Sequence, residues 1–108
     1  MAAKRGEVPK YGFAMEPKLV DSLKETTVID IAAGTGHNLA ITETQDLYAW
    51  GAGQYGELGL GVENLGNYRE AQKVKYEGKV KGIAAGVVHS CAVTRENRLL
   101  VWGKNNLC

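Results

Sequence analysis

One feature constrains this chain more than any other: a gapless self-similarity at a spacing of 52 residues, which takes Gly34 to Gly86. Val28-Ile-Asp-Ile-Ala-Ala-Gly34 returns as Val80-Lys-Gly-Ile-Ala-Ala-Gly86, and the same offset pairs His37 with His89, Ala40 with Ala92, Thr42 with Thr94, Leu47 with Leu99, Trp50 with Trp102 and Gly51 with Gly103. The chain holds two tryptophans and two histidines, and each type falls on the offset. A repeat of this length is a supersecondary unit that stacks on its neighbours, because one unit cannot bury its apolar faces alone.

The runs inside each copy are short and rich in β-branched residues, which predicts strands at Val28–Ala33, Asn38–Thr42 and Leu47–Trp50. Their counterparts are Val80–Ala85, Ser90–Thr94 and Leu99–Trp102. Tight connections make each set an antiparallel meander. Glu57–Asn67, with Gly59, Gly61 and Gly66, reads as a loop, and a fourth strand is predicted over Ala71–Tyr76 before a turn at Gly78. Four short strands per unit of this length give an all-β fold of antiparallel four-stranded blades, a partial β-propeller. The organisation expected is a disordered segment at 1–15, the end of a preceding repeat at 16–27, one repeat at 28–79 and a second, truncated one at 80–108. A two-blade piece is expected to be marginal or to self-associate through open edges.

Composition removes several function classes. The formal net charge of +1 gives no electrostatic argument for nucleic acid, a membrane surface or acidic substrates. No apolar run approaches the roughly 18–20 residues of a membrane helix, and the N-terminus lacks the apolar stretch of a secretory signal. Cys91 and Cys108 make no disulfide framework of the secreted kind, so an intracellular location, cytoplasmic or nuclear, fits best.

The motif Ile-Ala-Ala-Gly-x-x-His-x-x-Ala-[Ile/Val]-Thr, then Leu-x-x-Trp-Gly, and in the first copy Gly-Gln-Tyr-Gly-Glu-Leu-Gly-Leu-Gly, resembles the regulator of chromosome condensation repeat. The resemblance covers 28–108 and extends back to Glu16-Pro-Lys-Leu-Val20, which parallels Glu70-Ala-Gln-Lys-Val74. It implies a seven-bladed propeller, about three times this length at roughly 50 residues per blade, so the chain reads as a fragment needing further blades. Both strand-connecting turns lack the Asp-Gly that the family often uses. The family's founding member is a guanine-nucleotide exchange factor for a Ran-type small GTPase, associated with chromatin.

The chemistry-bearing motifs have structural explanations. Gly51-Ala-Gly-Gln-Tyr-Gly56 is a literal G-x-G-x-x-G after a strand, with Glu70 about where a dinucleotide fold places its ribose-binding acid. A helix must follow to face a pyrophosphate, and the glycine-broken Glu57-Leu-Gly-Leu-Gly-Val62 does not supply one. His37 and His89 occur once per copy, which suits an imidazole satisfying turn backbone groups better than a catalytic or metal-binding one. His89-Ser90-Cys91 with His37 lacks known zinc spacing, Cys91 standing where Leu39 does reads as core filler, and no acid is identifiable to orient a Cys–His pair. Trp50 and Trp102 read as packing between blades; no further aromatics surround them to support the light-sensing role that tryptophan clusters have in one plant branch of the family. Tyr48, Tyr55, Tyr68 and Tyr76 are spread through strands and loops.

Gly34, His37, Trp50, Gly51, Gly56, Gly59, Gly86, His89, Trp102 and Gly103 are therefore read as a structural repeat motif, with no catalytic, cofactor or metal residue among them. No cofactor is expected. Function falls to the loops, chiefly Gly53–Tyr68, presented to a partner protein. A small GTPase undergoing exchange is the alternative partner, and an enzyme using Gly51–Gly56 is the third and weakest reading.

Overall fold

The computed structural model describes residues 16–104, so the expectation for 1–15 and the last residues of the second copy lie outside it. Two antiparallel sheets pack face to face. The first runs β1 (Val28–Ala33), β2 (His37–Thr42), β3 (Leu47–Gly51) and β4 (Tyr68–Lys73), with each strand beside the next. The second runs β5 (Val80–Ala85), β6 (His89–Thr94) and β7 (Leu99–Gly103) in the same way. Short 3-10 turns at Asp21–Leu23 and Val62–Asn64 complete the described elements.

The repeat persists at the level of single hydrogen bonds. β1 and β5 carry the same register shift, at Val28/Asp30 and Val80/Gly82. In the hairpin after β2 the Thr42 N–H donates to the Asp46 carbonyl at 3.0 Å, and after β6 the Thr94 N–H donates to the Arg98 carbonyl at 2.7 Å. Each threonine hydroxyl accepts from the amide four residues on, at 3.2 Å from Asp46 and 2.9 Å from Arg98. The turn chemistry is thus encoded twice, in one threonine per copy. Gln45 and Asn97 hold the left-handed positions of these turns, at φ 65° and 69°, where a glycine would be unstrained.

The strand bounds differ from the sequence reading in five strands. β2, β3, β6 and β7 each extend by a residue, taking in His37, Gly51, His89 and Gly103. The fourth strand lies at Tyr68–Lys73 rather than Ala71–Tyr76. Its pairing begins at Gly51↔Tyr68 and continues through Tyr48↔Lys73, after which the Tyr76 N–H turns back to the Val74 carbonyl at 2.8 Å. An edge strand with one solvated side needs no apolar run, so Tyr68, Gln72 and Lys73 pair with β3 although the stretch is polar and the ladder is irregular between them.

The core lies between the two sheets and is built from Leu39, Ile41, Leu47, Ala49, Leu58, Val74, Val80 and Ala92. The first sheet contributes Leu39 and Ile41 from β2 with Leu47 and Ala49 from β3, while β5 and β6 supply Val80 and Ala92 from the opposite side. Each fully buried Leu, Ile or Val stabilises by about 1.5–3 kcal/mol relative to exposure, which makes this junction the main source of cohesion between the sheets.

Candidate functional site

At one end of that junction the repeated glycine, histidine and tryptophan residues of both sheets converge. β2 begins with His37, whose carbonyl accepts from the Gly34 amide at 2.8 Å; β6 begins with His89, whose carbonyl accepts from the Gly86 amide at 3.0 Å. The His37 ring crosses to the second sheet, its Nε2 lying 3.2 Å from the His89 carbonyl oxygen and 3.0 Å from Ser90 Oγ. The Ser90 hydroxyl has one proton and donates it to the Glu57 carbonyl at 2.7 Å. Ser90 Oγ therefore accepts from His37, which places the ring proton on Nε2 and leaves Nδ1 unprotonated. His37 Nδ1 is buried without a partner among the described residues, beside Gly34.

Burial holds the His37 pKa below the ordinary histidine value of 6.5, against the opposing pull of the His89 carbonyl and the Glu57 carboxylate. The ring is a neutral donor across the sheets. The histidine thus bridges to the neighbouring sheet, beyond the turn in its own copy. A side chain at Gly34 would meet both the Gly86 carbonyl and the His37 ring, so the close approach of the two backbones requires a residue without Cβ.

The Glu57 carbonyl also accepts from Trp102 Nε1 at 2.9 Å, and the Glu57 carboxylate accepts from the Tyr55 amide at 2.8 Å. One loop residue of the first copy thereby holds the serine and tryptophan of the second. Trp50, the equivalent of Trp102, is half-buried and stands across from Asn38. Gly51 and Gly103 share a positive φ, 105° and 101°, and the following amides donate to Gly36 at 2.8 Å and Val88 at 2.9 Å. Gly56 and Gly59 take positive φ in the loop. Asp46 makes a second link, pairing with Lys79 at 2.8 Å and approaching Lys73 at 3.8 Å; the Lys79 hydrogen bond, aided by Thr44, lowers its carboxyl below the usual 3.8.

Sequence reasoning singled out the ten motif residues but missed Glu57, Ser90 and the Asp46–Lys79 pair. Glu57 carried a signal, since it sits inside the Gly56–Gly59 motif. Ser90 carried none, because the first copy has Asn38 at its place. Cys91 is half-buried and free, on the side of β6 turned away from the first sheet. Among the described residues no three His, Cys, Asp or Glu side chains gather as a metal site, and no helix is long and apolar enough to cross a membrane. After Gly51–Gly56 the chain enters a turn, with the Gly56 amide on the Gly53 carbonyl at 3.3 Å, and among the described residues no α-helix follows it.

The loop 53–68 presents a different surface. Tyr55, Val62 and Leu65 are exposed, Val62 by 81%. Lys104 Nζ stands 5.0 Å from the centre of the Tyr55 ring, within range of a cation–π contact. Beside the loop a cavity of about 410 Å³ is lined mainly by apolar groups, among them Val62, Leu65, Val74, Leu100 and Trp102.

A four-stranded and a three-stranded meander stacked face to face, held by a Gly–His–Trp junction, define the class as blades of a β-propeller. Comparison with known proteins agrees. The pattern described as the regulator of chromosome condensation (RCC1) repeat matches residues 46–93 in one form and residues 28–57 and 80–107 in another. The chain belongs to this repeat family. It is 33% identical over 92 residues to mouse (Mus musculus) E3 ubiquitin-protein ligase HERC2, covering 85% of this chain and 2% of that protein. To Candida albicans Protein RCC1 it is 32% identical over 110 residues, covering 91% of this chain and 24% of the relative. The structure of Prp20p from Saccharomyces cerevisiae superposes with a TM-score of 0.66 at 29% identity, over 74% of this chain and 21% of that one. The chain thus spans a quarter or less of each of these relatives.

Proposed function

We propose that this chain is a non-enzymatic protein-interaction module in which the repeat motif is scaffold and the loop 53–68 meets a partner protein. The observation that carries this reading is the division of labour between the two surfaces. His37, Ser90, Trp102 and the Glu57 carbonyl are engaged with one another across the sheets, while Tyr55, Val62 and Leu65 stand exposed on one loop beside an apolar cavity. Exposed apolar groups gathered on a loop held by a rigid scaffold suit protein recognition. Affinity purification with wild-type chain and with the double variant Val62→Asp/Leu65→Asp tests it. A partner retained by the wild type and lost by the variant supports the reading; equal recovery by both contradicts it.

A second reading is a guanine-nucleotide exchange factor for a Ran-type small GTPase, associated with chromatin. It is favoured by the similarity to Prp20p, a protein described with binding properties to Gsp1p and histones. In that reading the chain acts by reshaping a GTPase's nucleotide site, without covalent chemistry of its own. Release of labelled guanine nucleotide from a panel of small GTPases separates the two readings. Acceleration supports exchange, and binding without acceleration leaves the interaction module.

A further inference from the structure

We propose that a cavity between the turn 60–64 and the end of β4 receives a carboxylate side chain from an acidic segment of the partner protein, held there by Lys73 and Lys75. Such a role rests on loop 53–68 being the partner-facing surface. The cavity measures about 400 Å³ and is lined by Leu60, Asn64, Tyr68, Gln72, Lys73 and Lys75. All six lie within the first repeat, so both walls and the chain joining them belong to one stretch of sequence. The turn is closed on itself: Asn64 Nδ2 donates to the Leu60 carbonyl at 3.0 Å, and the Tyr68 hydroxyl donates to the Asn64 carbonyl at 3.1 Å. Past the strand end, Val74 is buried in the core while Lys73 and Lys75 on either side of it in sequence are exposed, as alternation along an extended chain requires. The Lys75 amide donates to the Gly59 carbonyl at 2.8 Å, which anchors this lysine to the base of the same loop.

The charge in the cavity is unbalanced. No acid lines it, and the Leu60 and Asn64 carbonyls each already accept a hydrogen bond. Lys73 stands 3.8 Å from Asp46, whose carboxylate Lys79 holds at 2.8 Å, so Lys73 is the looser of the two lysines. Lys75 makes no ion pair among the described residues; the Glu63 carboxylate also lies near Gly61, but beyond ion-pair distance. Two ammonium donors beside Leu60 and the Tyr68 ring suit a side chain with an apolar stem and an anionic end, which is the chemistry of glutamate. A nucleic-acid backbone fits less well, because Glu63 and Glu70 stand in the same stretch and a formal net charge of +1 supplies no wider field. Neither lysine belongs to the scaffold. In the parallel between 16–20 and 70–74, Lys73 takes the place of Leu19, and Lys75 that of Asp21. The residues that build the blade recur, whereas this pair does not.

Proton–nitrogen NMR of the full chain, titrated with an end-blocked hexaglutamate peptide and with hexaglutamine as control, tests the proposal. Shifts are expected at the Asn64, Tyr68 and Gln72 amides with the acidic peptide alone, shrinking as salt is raised. Lys73→Gln and Lys75→Gln alter exposed side chains and leave the backbone bonds in place, so both keep the fold, which far-UV circular dichroism verifies. Each is expected to weaken binding about two- to fivefold, and the double variant about tenfold. Lys81→Gln, which removes the same charge from β5, should bind as the wild type does. No response to the peptide, equal affinity in the double lysine variant, or shifts centred elsewhere would overturn the proposal. A stronger response to inorganic phosphate would also overturn it, by assigning the cavity to a phosphorylated ligand. The fate of the loop is read separately. Loss of the partner in Val62→Asp/Leu65→Asp with no peptide binding keeps the loop's role and removes the cavity's. Unchanged partner recovery in that variant, with peptide binding that depends on the two lysines, keeps the acid-binding cavity and removes the loop's role.

Discussion

The two sheets carry the same motif and live in different surroundings. In the first, β2 is buried on both faces, with Leu39, Ala40, Ile41 and Thr42 all inaccessible. In the second, β6 alternates strictly: Ser90, Ala92 and Thr94 are buried against the first sheet, while His89, Cys91 and Val93 are half-open. Residue type does not account for the contrast, because the positions are equivalent and mostly chemically alike. What differs is whether another sheet covers the face. In a stacked architecture, stability is a sum of units and of contacts between neighbours, so the same side chain contributes unequally in the two copies.

Paired substitutions can break or sharpen that comparison. The largest expected effect is Leu39→Ala, which opens a cavity in the core and should cost about 2–5 kcal/mol. Cys91→Ala, at the equivalent half-open position, should cost under about 1 kcal/mol, both read by urea-induced unfolding. Next is Gly34→Ala, where the added methyl meets the Gly86 carbonyl as well as the His37 ring; about 1–3 kcal/mol is expected from overpacking. Gly86→Ala should be milder, because the obstructing group is the His89 side chain alone, on the open face.

His37 supplies a pH-dependent test. Its folded pKa lies below the ordinary 6.5 because the buried ring resists charging, so the unfolded chain binds the extra proton first. Its contribution is intact above 6.5 and is lost as the pH falls from there toward the depressed folded value. His37→Asn should flatten this part of the stability profile, measured by urea midpoints across the range. The smallest effect concerns the hairpin turns. Gln45→Gly relieves a left-handed backbone at φ 65° and should raise stability by about 0.5–1 kcal/mol, net of the entropy that glycine adds to the unfolded chain. Asn97→Gly should gain less, since asparagine tolerates that conformation better.

The strands of the repeat were legible because the offset reports on backbone geometry that both copies need. Gly51 and Gly103 mark the same positive φ, and Thr42 and Thr94 close the same turn. β4 was placed too far along the chain, because its first half is a polar edge strand with no apolar alternation to announce it. The Glu57–Ser90–Trp102 network was out of reach for another reason. Its members lie 33 and 45 residues apart and meet only when the sheets pack, and Ser90 interrupts the repeat rather than belonging to it. His37 and His89 were read alike from sequence, yet only His37 has a neighbouring carbonyl to bind among the described residues.

Leu47 and Leu99 offer the most direct test that burial in this chain is set by the neighbouring sheet, since they are the same residue at equivalent positions, 4% and 67% exposed. Equilibrium unfolding of Leu47→Ala and Leu99→Ala measures the difference. The account expects a loss of about 2–5 kcal/mol for Leu47→Ala and about 0.5 kcal/mol or less for Leu99→Ala. Equal losses at the two positions would contradict it.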